Sequence, residues 1–199
     1  MGNNETLISF IASSVEESIA VKKQLTAIYP DIARAGEILA HAYLSDRKAI
    51  FFGNGGSAAD AQHFAAEFVG RFLEERRPLP ALALHTNTSS VTAIVNDYGN
   101  DELFKRQLEA FAAPGDVAVA ISTSGTSRNV LEAAKQVEKL KISLIALTGE
   151  NGDALRPYAD AVIAVPSKRT PRIQEAHVLI GHMLCEWVER RIVAKESSL

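Results

Sequence analysis

Residues 117–127 read Val-Ala-Val-Ala-Ile-Ser-Thr-Ser-Gly-Thr-Ser. The unbroken apolar run Val117–Ile121 predicts a strand buried on both faces. The hydroxyl-rich run that ends it leads into a helical stretch, Val130 to Leu140. Each hydroxyl can donate to a phosphate oxygen, and a helix N-terminus adds backbone donors and partial positive charge. Residues 122–127 therefore read as a phosphate cradle that needs no lysine. A Ser-rich helix cap is the plainer alternative, but one residue suffices for a cap, and the remaining hydroxyls need another explanation.

The same alternation extends on both sides. Ala49-Ile50-Phe51-Phe52, Ala81-Leu82-Ala83-Leu84, Ile142 to Leu147 and Ala161 to Val165 are further short apolar runs. Helical stretches lie between or after them: Ser57 to Phe68, a helix from about Ser89, Asp101 to Phe111, and a long one from near Pro171 to about Val193. Five such strands predict an α/β class chain: a doubly wound, three-layer αβα sandwich with a five-stranded parallel sheet. Ligands of that architecture bind beyond the carboxyl ends of the strands. Upstream, Ile8, Ile11, Val15 and Ile19 recur at helical spacing, and a second helix follows Pro30 through Ile32, Ala35, Ile38, Leu39 and Tyr43. These two helices have only the later sheet or another subunit to cover. The expected organisation is one domain, with an N-terminal helical arm for oligomerisation at 1–46 and an α/β core at 47–199.

The chain has 199 residues, ample for one compact domain. With 21 Lys plus Arg against 24 Asp plus Glu, the net charge of −3 excludes a generally basic nucleic-acid binder. A single cysteine, Cys185, excludes an intramolecular disulfide framework and a multi-Cys zinc site, and fits a reducing, cytoplasmic setting. No run approaches a membrane span, so no membrane partner is expected. Met1-Gly2 with Thr6 superficially matches a myristoylation pattern, but an ordinary start is the better reading.

The first strand ends in Gly53-Asn54-Gly55-Gly56-Ser57, where glycines let the backbone approach a ligand closely. Ser57 and Asp60 have capping-box spacing, so a helix is expected to begin there with its free N–H groups facing the loop. The loop is neither a dinucleotide fingerprint nor a P-loop. Asn96-Asp97-Tyr98-Gly99 reads by residue type as a turn. His63 and Glu67, spaced i, i+4, share a helix face and suit either a divalent metal or a carboxylate base beside an imidazole. Gln174 and His182 lie eight residues apart in the last helix, about 12 Å along its axis, a span one centre would struggle to meet on a continuous helix. Either Gln174 sits at a distorted helix start, or the two act in sites completed by different subunits, or His182 is a core residue with no role. His85 is a third histidine at a ligand-side position. Arg71, Arg128, Lys168, Arg169 and Arg172 could face an anion, although such residues are more often surface charges.

Taken together, Gly53–Ser57, Gln62–Glu67, Asn96-Asp97, Ser122–Ser127 and Arg172-Ile173-Gln174-Glu175 with His182 resemble the phosphoheptose isomerases of the sugar isomerase (SIS) domain superfamily. The resemblance covers essentially the whole chain. It implies conversion of sedoheptulose 7-phosphate to D-glycero-D-manno-heptose 7-phosphate, the first step of bacterial ADP- or GDP-heptose precursor biosynthesis for lipopolysaccharide or other surface glycans. It further implies a cytoplasmic homotetramer with intersubunit sites. By motif, Glu67 and His182 become the catalytic pair. His63, Glu67, Gln174 and His182 become ligands of a zinc ion, Zn2+. The expected substrate contacts are Asn54, Gly55, Gly56, Ser57, Glu67, Asn96, Asp97, Ser122, Thr123, Ser124, Ser127 and Gln174.

A related SIS-domain protein binds the bacterial replication initiator and is the alternative. It lacks a carboxylate at the position of Glu67 and a histidine at that of His182, whereas this chain has both, which favours an enzyme.

Overall fold

The computed structural model describes residues 6–198, so Met1 and Gly2 of the myristoylation-like pattern lie outside the described residues. Five strands form one parallel sheet: β1 (Ala49–Gly53), β2 (Ala81–Ala83), β3 (Val117–Ser122), β4 (Ser143–Thr148) and β5 (Ala161–Ala164). Their spatial order is β2-β1-β3-β4-β5. Eight helices surround them among the described residues: α1 (Leu7–Gln24), α2 (Tyr29–Leu44), α3 (Gly56–Val69), α4 (Thr88–Tyr98), α5 (Leu103–Phe111), α6 (Arg128–Ala134), α7 (Val137–Leu140) and α8 (Thr170–Glu196).

The sheet is buried on both faces, which is why its strands read as unbroken apolar runs. Phe51, Val119, Ile121, Ile145, Leu147 and Ile163 pack with α2, α3 and α8 on one face. Ile50, Phe52, Ala118, Ala120, Leu144 and Ala146 pack with α5, α6 and α7 on the other. The expected three-layer sandwich is therefore what the chain forms. Among the described residues no helix is long and apolar enough to cross a membrane.

The two N-terminal helices differ in what they bury. Helix α2 covers the sheet, burying Ile32, Ala35, Leu39 and Tyr43. Helix α1 buries only Val21 and leaves Leu7 and Ile8 72% and 80% exposed. It is tied down by charge: Arg169 pairs with Glu17, and Arg172 Nη1 donates to the carbonyl of Ser14 at 2.6 Å.

Three local expectations are corrected. The capping box at Ser57 and Asp60 does not form. The N-cap lies two residues earlier, at Gly55, with φ +57° and no side-chain cap bond. Ser57 is buried inside the first turn, its N–H given to the carbonyl of Asn54. Asn96 and Asp97 are not in a turn but on the last turn of α4, because Asn87 accepts from Ser90 N–H at 3.1 Å to start that helix and Gly99, at φ +88°, ends it. The stretch after the hydroxyl loop is not one helix: α6 stops at Ala134, and Gln136 N–H closes a tighter step to Ala133 O before α7.

His177 on α8 is fully buried, with Nε2 3.1 Å from the carbonyl of Thr148 at the end of β4. Burial lowers its pKa from 6.5 to about 4, against the opposing effect of the Thr148 carbonyl. Below about pH 6.5 the unfolded chain takes up a proton that the folded chain refuses, so stability falls as pH drops from 6.5 toward 4. The loss at the acid end is of order 3 kcal/mol. Urea unfolding at pH 7 and pH 4.5 will show a smaller difference for His177→Gln than for the wild type.

Candidate active site

Strands β1 and β3 are neighbours, with Gly53 in register with Ile121, so the glycine loop and the hydroxyl loop leave the sheet side by side. The strand order reverses between them, and this is where open parallel sheets bind ligands. The two loops are tied to each other. Asn54 Nδ2 donates to Asn129 Oδ1, and Asn129 Nδ2 donates to Asn54 Oδ1, both at 2.9 Å. Asn129, buried at the start of α6, was not singled out in the sequence, although it follows the hydroxyl run directly.

Within the hydroxyl loop, Ser122 Oγ donates to Ser127 Oγ at 3.2 Å and stands 3.5 Å from Ser124 Oγ. Ser124 Oγ accepts from both the N–H and the hydroxyl of Thr126 at 3.2 Å. Ser127 precedes α6 without a side-chain cap bond, so the hydroxyls cluster on one another instead of capping the helix. Gly125 sits at φ +68°, and a Cβ there would stand 2.3 Å from the Asn151 carbonyl. The loop is thus pressed against the segment after β4, and Gly149 N–H reaches the Thr123 carbonyl at 3.1 Å.

Helices α3 and α8 lie side by side, and their contacts advance together. Gln174 covers Gly56, where a Cβ would stand 2.1 Å from the Gln174 amide nitrogen. Further along, Gly181 faces Phe64, and His182 meets His63 with Nε2 to Nε2 at 2.7 Å. His63 Nδ1 lies 3.6 Å from Glu67 Oε1. Glu67 and His182 therefore converge on His63 from two helices. The ring of Phe72, 5.4 Å from that of His182, covers the group. The imidazole contact needs one ring to donate and the other to accept, so the pair holds at most one proton between the facing nitrogens.

Two features of the expected zinc set do not fit a metal centre in one chain. Tetrahedral zinc with Zn–N bonds of about 2.0–2.1 Å keeps two imidazole nitrogens about 3.3 Å apart, whereas 2.7 Å suits an N–H···N bond. Gln174 is about 12 Å from His182 along α8. Among the described residues, no three His, Cys, Asp or Glu side chains are grouped to hold a metal ion.

The remaining candidates are placed as follows. Asn96 Nδ2 donates to Asp97 Oδ1 at 2.8 Å on the exposed helix α4. Asp60, on α3, is held above the ordinary aspartate range by burial, partly offset by His63. His85, two residues beyond β2, has both ring nitrogens buried, and burial lowers its pKa despite the opposing Ala58 backbone. The five basic residues considered for an anion all face carboxylates instead. Arg71 pairs with Glu75, Arg128 with Asp101, Lys168 with Glu150, and Arg169 and Arg172 with Glu17.

Residues 14–149 match the SIS domain family. The phosphoheptose isomerase of Aquifex aeolicus is 50% identical over 177 residues, covering 88% of this chain and 93% of that protein. That of Geobacter sulfurreducens is 55% identical over 161 residues, covering 81% of this chain and 85% of that protein. The solved phosphoheptose isomerase of Neisseria gonorrhoeae superposes with a TM-score of 0.87 at 42% identity, covering 93% of this chain and all of that one. Sequence and fold agree, and the chain belongs to the phosphoheptose isomerase family of SIS-domain proteins.

Proposed function

We propose that the protein isomerises sedoheptulose 7-phosphate to D-glycero-D-manno-heptose 7-phosphate by proton transfer through an enediol. The observation that carries this reading is the convergence of Glu67 and His182 on His63. Moving a proton between C1 and C2 needs a base to remove it and an acid to protonate the carbonyl oxygen. A carboxylate and an imidazole supply both near neutral pH. Glu67 is the group for the carbon-bound proton, and His182 the group for the oxygen. Ser122, Thr123, Ser124 and Ser127 hold the phosphate, whose binding energy keeps the distant carbonyl in register. Asn54, Gly55, Gly56, Ser57 and Gln174 line the neighbouring loop for the sugar.

Helix α3 carries His63 about 10 Å beyond Gly56, so the acid–base group and the loops stand well apart within one chain. This supports a site completed by a second subunit, with Asn96 and Asp97 arriving on exposed α4. The bare apolar row of α1 supports an assembly, and a homotetramer is the form the family resemblance favours. Zinc on His63, Glu67, Gln174 and His182 rests on that resemblance alone and carries no step here. A cytoplasmic role in supplying heptose for surface glycans completes the reading. Binding to the replication initiator is not favoured by the relatives the chain matches.

Incubation with sedoheptulose 7-phosphate, followed by NMR, tests the reading. An aldoheptose phosphate will accumulate, and its absence under conditions where the protein stays folded overturns the proposal. Ser124→Ala removes one hydroxyl donor and one acceptor from the cradle. Its KM will rise roughly tenfold with kcat little changed, as loss of an interaction made equally in ground and transition states requires.

A further inference from the structure

We propose that Arg76 and Glu189 form a buried brace that positions Glu67 and His182 for proton transfer. The inference rests on the isomerase reading above. Glu189 is only 1% exposed, yet its carboxylate is fully engaged. It accepts from the backbone N–H groups of Phe72, Leu73 and Glu74 at 2.8, 2.7 and 2.8 Å. Arg76 Nε stands 3.3 Å from the same carboxylate. The guanidinium turns its other nitrogens on the end of α3. Nη2 donates to the carbonyl of Glu67 at 2.9 Å, and Nη1 to those of Phe68, Gly70 and Arg77 at 3.0, 3.0 and 2.9 Å.

The last carbonyls of a helix lack intrahelical partners, and solvent or a single cap would satisfy them. A buried ion pair is an expensive substitute, because desolvation of two charges commonly cancels their attraction. What this pair adds is location. Arg76 grips the backbone of Glu67 itself. Glu189 lies seven residues after His182, two turns along the same face of α8. It also fixes the backbone of Phe72, whose ring packs against His182. The side chains that would exchange protons with substrate are thus referenced to one pair of charges, across two helices that have no covalent reason to keep register.

The conservative variants Arg76→Lys and Glu189→Gln test the brace in the full chain. Lysine keeps the charge but cannot reach several carbonyls at once, and glutamine keeps the shape but offers a donor where three N–H groups converge. In folded protein, kcat will fall roughly 10- to 100-fold, the scale of a catalytic group displaced by about 1 Å. KM will stay within about twofold, the opposite of the split expected for Ser124→Ala. The imidazole NMR resonances of His63 and His182 will shift, while those of His41 on α2 will not. Phe72→Leu leaves its backbone bond to Glu189 intact and tests the same route if an ion-pair variant fails to fold. It will lower kcat and shift the His182 resonances. Unchanged kcat, or unmoved His63 and His182 resonances, in a folded variant overturns the proposal. If the wild type does not turn over the heptose phosphate, the isomerase reading fails, and the imidazole shifts still decide whether the brace positions these groups.

Discussion

Replacing Glu67 by glutamine will lower kcat by roughly 10²- to 10⁴-fold, the contribution of a positioned acid–base group. The fold will survive, because the Glu67 side chain is only partly buried and its one ionic neighbour among the described residues is His63 at 3.6 Å. The structural duty of this residue falls on its backbone carbonyl, which Arg76 holds and which glutamine retains. Glutamine also matches the shape of the carboxylate, so KM will change little. Circular dichroism, thermal melting and oligomeric size will match the wild type. Turnover near wild-type rate would remove Glu67 as the base and leave His182 without its proposed partner.

Gly181→Ala will damage stability and activity together. A Cβ at Gly181 would stand 2.1 Å from two ring carbons of Phe64. That ring is buried between α3 and the sheet and packs edge-on 6.2 Å from Phe51, so moving it disturbs the core. Overpacking of this kind costs about 1–3 kcal/mol, and each kcal/mol lowers Tm by roughly 2–4 °C in a domain of this size. The residue next in sequence is His182, so the helix displacement that relieves the clash also opens the contact with His63. Activity will fall roughly 100-fold, by the same misplacement argument used for the brace. A variant with unchanged melting temperature and kcat would show that the helices need not approach so closely.

How much of this could be read beforehand depends on the range of the interaction. Strands β1, β3 and β4 announce themselves because burial on both faces demands continuous apolar residues. Strand β2 has only three residues, of which Leu82 is exposed, and it is legible mainly from its neighbours. His63 and Glu67 are legible because helix periodicity alone places them together. The meeting of His63 with His182 is not, since it depends on two helices packing at a particular height. Gly181 carried a usable clue: a glycine inside a helix costs about 1 kcal/mol against alanine and usually has a packing reason. Arg76 and Glu189 were invisible. Each sits in a run of charged residues that looks like solvated surface, and their partnership spans more than a hundred residues. The capping box misled because the glycine turn places the N-cap at Gly55, two residues before the Ser57 of the side-chain pattern.

The hydroxyl loop has a consequence for how substrate arrives. It offers neutral dipoles, and Arg128, Lys168 and Arg172 are each paired with a carboxylate. Dipoles attract only at short range, and a chain of net charge −3 gives a dianion no long-range pull. Under the proposed reading, capture of a phosphorylated sugar therefore begins at contact, and salt speeds association slightly by screening like charge. An arginine-lined pocket would gain speed at low salt and lose it in the cell; a cradle of hydroxyls has no such speed to lose.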